Sequence, residues 1–215
     1  MFLCAIARPR FDSEGNETFN GKIGIFPFVT QEPTIRDNIN RSLTSTLETK
    51  HLTSVNREIM RSYLIEKILP RIKEKWLRDD MMNPIFIQQD NARTHVDIND
   101  EVFCTAARQG GLDIRLMCQP PNSPDLNILN LGFFSAIQSQ QHREAPKTVD
   151  ELISAVEQSY ESFDVKKSNR IFVSLQLCMI EIMRAKGSNK YKISHINKAS
   201  SNFFKLMLTA KNKTA

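Results

Sequence analysis

Two short apolar runs, PIFIQQD at residues 84–90 and LDIRLMC at residues 112–118, constrain the fold of this chain more than any other feature. Each is too short for a helix and is bounded by polar or turn-forming residues, so each is expected to be a buried strand. Between them, Asp97 to Gln109 has helical character and is stopped by Gly110 and Gly111. Upstream, apolar residues gather at Phe2 to Ala7 and again at Lys22 to Val29, around the turn-rich DSEGNET; this predicts a β-hairpin with a long connection. From Arg57 to Trp76, the positions Met60, Leu64, Ile68, Ile72 and Trp76 recur at every fourth residue and make one apolar helical face, which Pro70 is expected to kink or end. The order hairpin, helix, strand, helix, strand, helix belongs to an α/β domain, in which active residues gather beyond the strand ends. Asp90 is expected at such a place, the C-terminal tip of its strand.

The polar stretch Thr30 to Asn56 has no steady period and carries Arg36, Arg41 and Lys50, so it is expected to be a substrate-facing surface loop. In QPPNSPDLN the prolines forbid a regular element until Pro124, where Ser123 can cap a new helix and Asp125 suits the helix dipole. On that helix Leu126, Asn130, Phe133, Phe134 and Ile137 would share one face, making Asn130 an amide on an apolar stripe. Burying an unpartnered amide costs about 1–3 kcal/mol, so Asn130 would need hydrogen bonds, water or an ion. Two more helices are expected over about 149–163 and 166–186, the second ended by Gly187. Their stripes, Leu152, Val156 and Tyr160, then Phe172, Leu175 and Met179, are expected to pack on the sheet. After Ser188 the chain is rich in Lys and Asn, apart from an apolar patch at Phe203 to Leu208.

Taken by themselves, the polar residues admit more than one role. Asp90 is either a cap of the turn that follows its strand or a metal ligand. His95, five positions on in QQDNARTH, is a ligand, a phosphate contact or a cap. Arg36, Arg41, Lys50 and Arg57 around the polar loop, with Arg93 and His95, could contact nucleic acid or form an ordinary solvated face. A net charge of +5 tilts the balance toward anionic partners only mildly. The four scattered cysteines form no C-x-x-C pair and look like reduced core residues. No apolar run approaches a membrane span and no secretory signal opens the chain, so a soluble protein of the nucleus or cytoplasm with no membrane partner is expected.

The string FIQQDNARTH, followed by CQPPNSPDLNILNLGFF and AIQSQQ, resembles the catalytic core of the plant mariner-like transposases. The resemblance continues through NGKIGIFPFV, ILPRIKEKW, SLQLCMIEIM and NKYKISHINK, covering about Ala7 to Lys198. It implies an RNase H-like fold, a mixed sheet flanked by helices, in which three carboxylates hold two Mg²⁺ or Mn²⁺ ions for DNA strand cleavage and transfer. On that resemblance the family's second aspartate is Asp90. Its third lies in a segment of the form Leu-Asp-Leu-Gly-Phe-Phe, here Leu129 to Phe134, so the third position is occupied by Asn130, with thirty-nine residues between it and Asp90. The strand that carries the first aspartate precedes the hairpin in the family and is expected to be missing ahead of Met1, as is the helix-turn-helix region that reads the terminal repeats. Asp125 would lie off the face of Asn130 and is not expected to substitute for it.

The resemblance implies a transposase catalytic core over residues 1–145, truncated at its N-terminus, with a C-terminal helical extension of the same domain over 146–215. The expected function is that of a degenerate transposase domain without cleavage activity, binding Mg²⁺ or Mn²⁺ weakly or not at all and DNA weakly and nonspecifically. A chain lacking an internal strand is also expected to be poorly soluble or to form a homodimer. Two alternatives stay open: a fragment of an active metal-dependent transposase or nuclease from an incomplete gene model, and a protein-interaction module that reuses the fold.

Overall fold

A computed structural model describes residues 1–33, 47–76, 83–188 and 191. The fold is mixed α/β, with small sheets and helices. Strand β1 (Phe2–Ile6) pairs antiparallel with β4 (Lys22–Pro27), Cys4 opposite Ile25. Their connection, anticipated only as polar, holds a small hairpin of its own, β2 (Arg10–Phe11) with β3 (Glu17–Phe19). It closes on Gly21, where the Ala7 N–H donates to the Gly21 carbonyl at 2.7 Å. Gly21 has φ +76°, and a Cβ there would lie 2.1 Å from the Ala7 carbonyl oxygen. Backbone cannot yield to that overlap, so Gly21→Ala is expected to cost about 3 kcal/mol or more in urea unfolding. Gly15 also has positive φ, but no described residue lies within 4 Å of its would-be Cβ; Gly15→Ala is expected to cost only about 1 kcal/mol. Equal losses at the two positions would show that backbone conformation alone, without the Ala7 contact, sets the requirement.

The expected surface loop over Thr30 to Asn56 is corrected in part. Strand β5 (Val29–Pro33) pairs antiparallel with β6 (Leu47–His51), Thr30 opposite Lys50. Apart from Val29, Pro33 and Leu47 both strands are polar, and both are largely exposed, so their sequences carry no clear apolar–polar alternation. The ladder is supplemented by Gln31 Nε2 donating to Thr49 Oγ1 at 3.1 Å and by a Lys50–Glu32 ion pair at 2.8 Å.

The expected helix over Arg57 to Trp76 forms as α1 (Arg57–Tyr63), a π turn (Leu64–Ile68) and α2 (Leu69–Lys75). Asn56 caps it, accepting from the Ile59 N–H at 2.9 Å. A strict four-residue repeat drifts about 40° per step around an α-helix. The wider π turn takes up that drift and keeps Met60, Leu64, Ile68 and Ile72 buried in one core. Pro70 sits immediately after this turn, at the start of α2, where its missing N–H and its ring are accommodated by the i→i+5 bond from Leu69 to Leu64. The helix neither ends nor breaks there.

Strand β7 (Ile85–Gln89), α3 (Glu101–Arg108) and β8 (Ile114–Cys118) form a βαβ unit, the strands parallel with Ile85 opposite Ile114. Helix α3 starts four residues later than its apolar pattern suggested, because Asp97 folds the chain into an Asx turn on Asn99 and Asp100 supplies the cap on Phe103. The carboxylate of Asp100 also holds Arg61 of α1 at 2.7 Å. Burial pushes this carboxyl up, but the Phe103 N–H and the Arg61 guanidinium outweigh it and hold the group below the ordinary range.

One core lies between α1–α2 and the inner faces of the β1–β4 and β7–β8 sheets, joining Leu3, Ala5 and Ile23 to Ile85, Ile87, Ile114 and Leu116. A second core covers the opposite face of β1–β4. There Phe2, Cys4, Ile6 and Ile25 meet Phe133, Phe134 and Ile137, and Val156, Tyr160 and Phe163 from α5 (Val149–Glu161) and the turn after it. The stripe expected on α5 is therefore packed on the sheet. The stripe expected on α6 (Val165–Arg184) is not: Met179 is 39% exposed, while Ser168, Asn169, Val173 and Cys178 form the buried side. With apolar residues on two sides of α6, spacing alone does not decide which goes inward. The helix ends in a Schellman turn whose left-handed residue is Lys186 (φ +51°), followed by Gly187, with bonds from Lys186 to Met183 and from Gly187 to Ile182. Among the described residues no helix is long and apolar enough to cross a membrane. The cysteines are all free, but Cys118 is exposed and Cys104 half-buried, so only Cys4 and Cys178 are core residues.

Candidate functional site

Side by side, β7 and β8 end in two loops, residues 90–100 and 119–123, and amide side chains lace these loops together. The Gln119 N–H donates to the Gln89 carbonyl at 2.8 Å, extending the ladder by one bond. Asn91 Nδ2 donates to the Gln119 carbonyl at 2.8 Å, and Gln88 Nε2 reaches the Leu126 carbonyl at 2.7 Å. Gln89 Nε2 donates to the Val96 carbonyl at 2.5 Å, and Gln119 Nε2 to the Ser123 carbonyl. Gln119 is only 7% exposed, and its Oε1 has no partner among the described residues. These amides escaped the sequence reading. Their only signal was the concentration of Gln and Asn directly after two apolar runs.

Asp90 stands where it was expected, just past the C-terminal end of β7. Its Oδ1 accepts from the Ala92 N–H at 2.9 Å, which closes an Asx turn, and lies 3.0 Å from His95 Nδ1. The same nitrogen lies 2.8 Å from the Asp90 carbonyl oxygen. Both atoms facing Nδ1 are acceptors, which assigns the proton to Nδ1 and leaves Nε2 with the lone pair in the neutral ring. Of the roles left open for Asp90, the cap is the one the hydrogen bonds display; His95 is its partner.

Arg57 donates from Nε to the His95 carbonyl at 3.1 Å and from Nη2 to the Arg93 carbonyl at 3.2 Å, tying the Asp90 loop to the start of α1. The structure thus gathers Asp90, Arg57, Arg93 and His95 in one place. Lys50 sits apart on β6, paired with Glu32, whose hydrogen bond and charge push the ammonium above its ordinary range. Arg36 and Arg41 lie outside the described residues.

The helix expected to start at Pro124 is corrected. A 3-10 turn (Pro124–Leu126) is followed by a break at Asn127, a π turn (Leu129–Phe133) bent at Gly132 (φ +147°), and then α4 (Phe134–Glu144). Ser123 does not cap it; its hydroxyl donates to the Pro121 carbonyl at 3.1 Å. Because 124–133 is not one α-helix, Asn130 leaves the apolar face and is exposed, while Leu126, Phe133 and Ile137 are buried. The buried-amide reason for expecting a ligand at Asn130 therefore falls away. Asp125 accepts from the Tyr191 hydroxyl at 2.8 Å, and burial together with this carboxylate pushes the phenol up to about 12.

Two hard divalent cations need several fixed anionic oxygens between them. Among the described residues no three His, Cys, Asp or Glu side chains gather as a metal-binding group, and Asp90 already shares Oδ1 with Ala92 and His95. These residues do not fit a two-metal centre. No family model, curated protein or solved structure matches the chain.

Proposed function

We propose that this chain is a degenerate mariner-like transposase catalytic domain, nuclear, unable to cleave DNA and retaining weak, nonspecific contact with nucleic acid through Arg57, Arg93 and His95. The observation that carries the reading is Asp90 beyond the end of β7 with the neutral, exposed Asn130 at the position where the resemblance asks for a third carboxylate. An RNase H-like sheet is supported by the packing of β1 and β7. Both contribute side chains to the same core, and among the described residues each is paired along one edge only. On this reading one further strand between β1 and β7 joins β4, β1, β7 and β8 into one mixed sheet. Open edges also favour pairing between two copies of the chain.

The purified chain is expected not to nick supercoiled plasmid with Mg²⁺ or Mn²⁺; nicking that disappears in Asp90→Ala would overturn the proposal. Any DNA affinity is expected to fall steeply as salt rises, since the available Lys and Arg would act on phosphates. At constant salt, preference for one sequence by more than about tenfold would contradict the nonspecific reading.

A further inference from the structure

The sheet β7–β8 is parallel, and parallel sheets are normally covered on both faces. Its inner face is buried against α1–α2 and α3, through Ile85, Ile87, Ile114 and Leu116. Its outer face carries Phe86 and Gln88 on β7 and Arg115 and Met117 on β8, with Phe86 52% and Met117 38% exposed. Arg115 is already neutralised by Asp113 at 2.6 Å. What remains exposed is Phe86 and Met117, on a sheet face that parallel strands ordinarily keep covered.

The course of the chain after α6 points to the occupant. Gly187 turns it back, and Tyr191 is tied to Asp125 at 2.8 Å. Asp125 adjoins Leu126, whose carbonyl accepts from Gln88 at 2.7 Å, and Gln88 stands two positions from Phe86 on the same outer face. The described chain therefore stops beside the uncovered face. Twelve residues beyond Tyr191, outside the described residues, the sequence reads Phe203-Phe204-Lys205-Leu206-Met207-Leu208, apolar in an otherwise Lys- and Asn-rich tail. A tether of that length supplies an effective concentration of about a millimolar, so even a weak apolar contact is populated.

We propose that Phe203 to Leu208 caps the outer face of β7–β8, over Phe86 and Met117, in the same molecule. This cover is independent of the transposase reading. It makes the β7–β8 unit complete on both faces and ties the C-terminal tail to the strand that ends at Asp90.

Hydroxyl-radical footprinting of the full chain, with every methionine read by mass spectrometry, tests it. Met117 and Met179 have nearly the same residue exposure without a cover, 38% and 39%, so Met179 serves as the exposed reference for Met117. With the cover, Met117 is expected to oxidise about threefold more slowly than Met179. The double substitution Phe204→Asp with Leu206→Asp is expected to bring the two rates together, while buried Met60 stays protected and reports an intact fold. A Met117 rate, relative to Met179, that the double substitution leaves unchanged overturns the proposal. So does deprotection of Met179 or Met183 in place of Met117, which would put the tail on α6. Protection of Met117 that grows with protein concentration also overturns it, since the cover would then be a second copy.

Discussion

An added strand bearing one aspartate, inserted ahead of β1, and Asn130→Asp together are expected to produce Mg²⁺- or Mn²⁺-dependent plasmid nicking that neither change produces alone. In-line phosphoryl displacement needs one metal at the nucleophile and one at the leaving oxygen, and each is held by carboxylates. Loss of that stabilisation at about 1.4 kcal/mol per decade is expected to separate the doubly changed protein from either single one by roughly 10²–10⁴-fold in rate. Asn130 is exposed, so its change to Asp is expected to leave stability within about 0.5 kcal/mol, and failure of the single variant cannot be blamed on unfolding. On the proposed reading the added strand pairs with the edges of β1 and β7 that have no partner among the described residues. It is therefore expected to raise the urea midpoint and to convert any dimer to a monomer on size exclusion. Nicking by Asn130→Asp alone, or an unaltered chain that is already a stable monomer with unchanged midpoint after strand addition, would sink the proposal that β1 and β7 flank one further strand. No nicking by the doubly changed protein, once calorimetry shows that it binds Mn²⁺, would sink the transposase reading itself.

Phe133→Ala is expected to lower unfolding stability by about 3–5 kcal/mol, the loss usual for truncating a fully buried aromatic side chain. Phe133 is buried where α4, α5 and β1 meet, with ring centroids 4.9 Å from Phe163 and 6.0 Å from Tyr160, both edge-on. Tyr160 in turn donates to the Ala5 carbonyl at 3.2 Å, so the aromatic group anchors the C-terminal helices to β1. Ile137→Val in the same cluster removes one methyl group and is expected to cost only about 1 kcal/mol. A loss below about 1 kcal/mol for Phe133→Ala would mean that the site collapses around the smaller side chain or that the helices are not docked there.

The chain's own residue order was enough to locate the hairpin strands, the helix of Met60, Leu64, Ile68 and Ile72, the strands β7 and β8, helices α5 and α6, and Asp90 at a strand tip. Each rests on a pattern that repeats over a few neighbouring residues and is enforced by local geometry: alternation in strands, a shared face in helices, turn formers at their ends. Only the tertiary structure decided which side of α6 is buried, that β5 and β6 pair although neither has an apolar face, and that α3 waits for Asp100 before it begins. It also moved Asn130 from an expected core stripe to the surface, because the bend at Gly132 and the break at Asn127 cancel the periodicity on which the stripe depended. The amides that organise the candidate site were the least legible. Gln88 meets the Leu126 carbonyl thirty-eight positions away, and Arg57 meets that of His95 at the same separation. A backbone carbonyl is offered by every residue, so nothing in the sequence marks the one a distant side chain will find; that choice is made when the strands and helices pack.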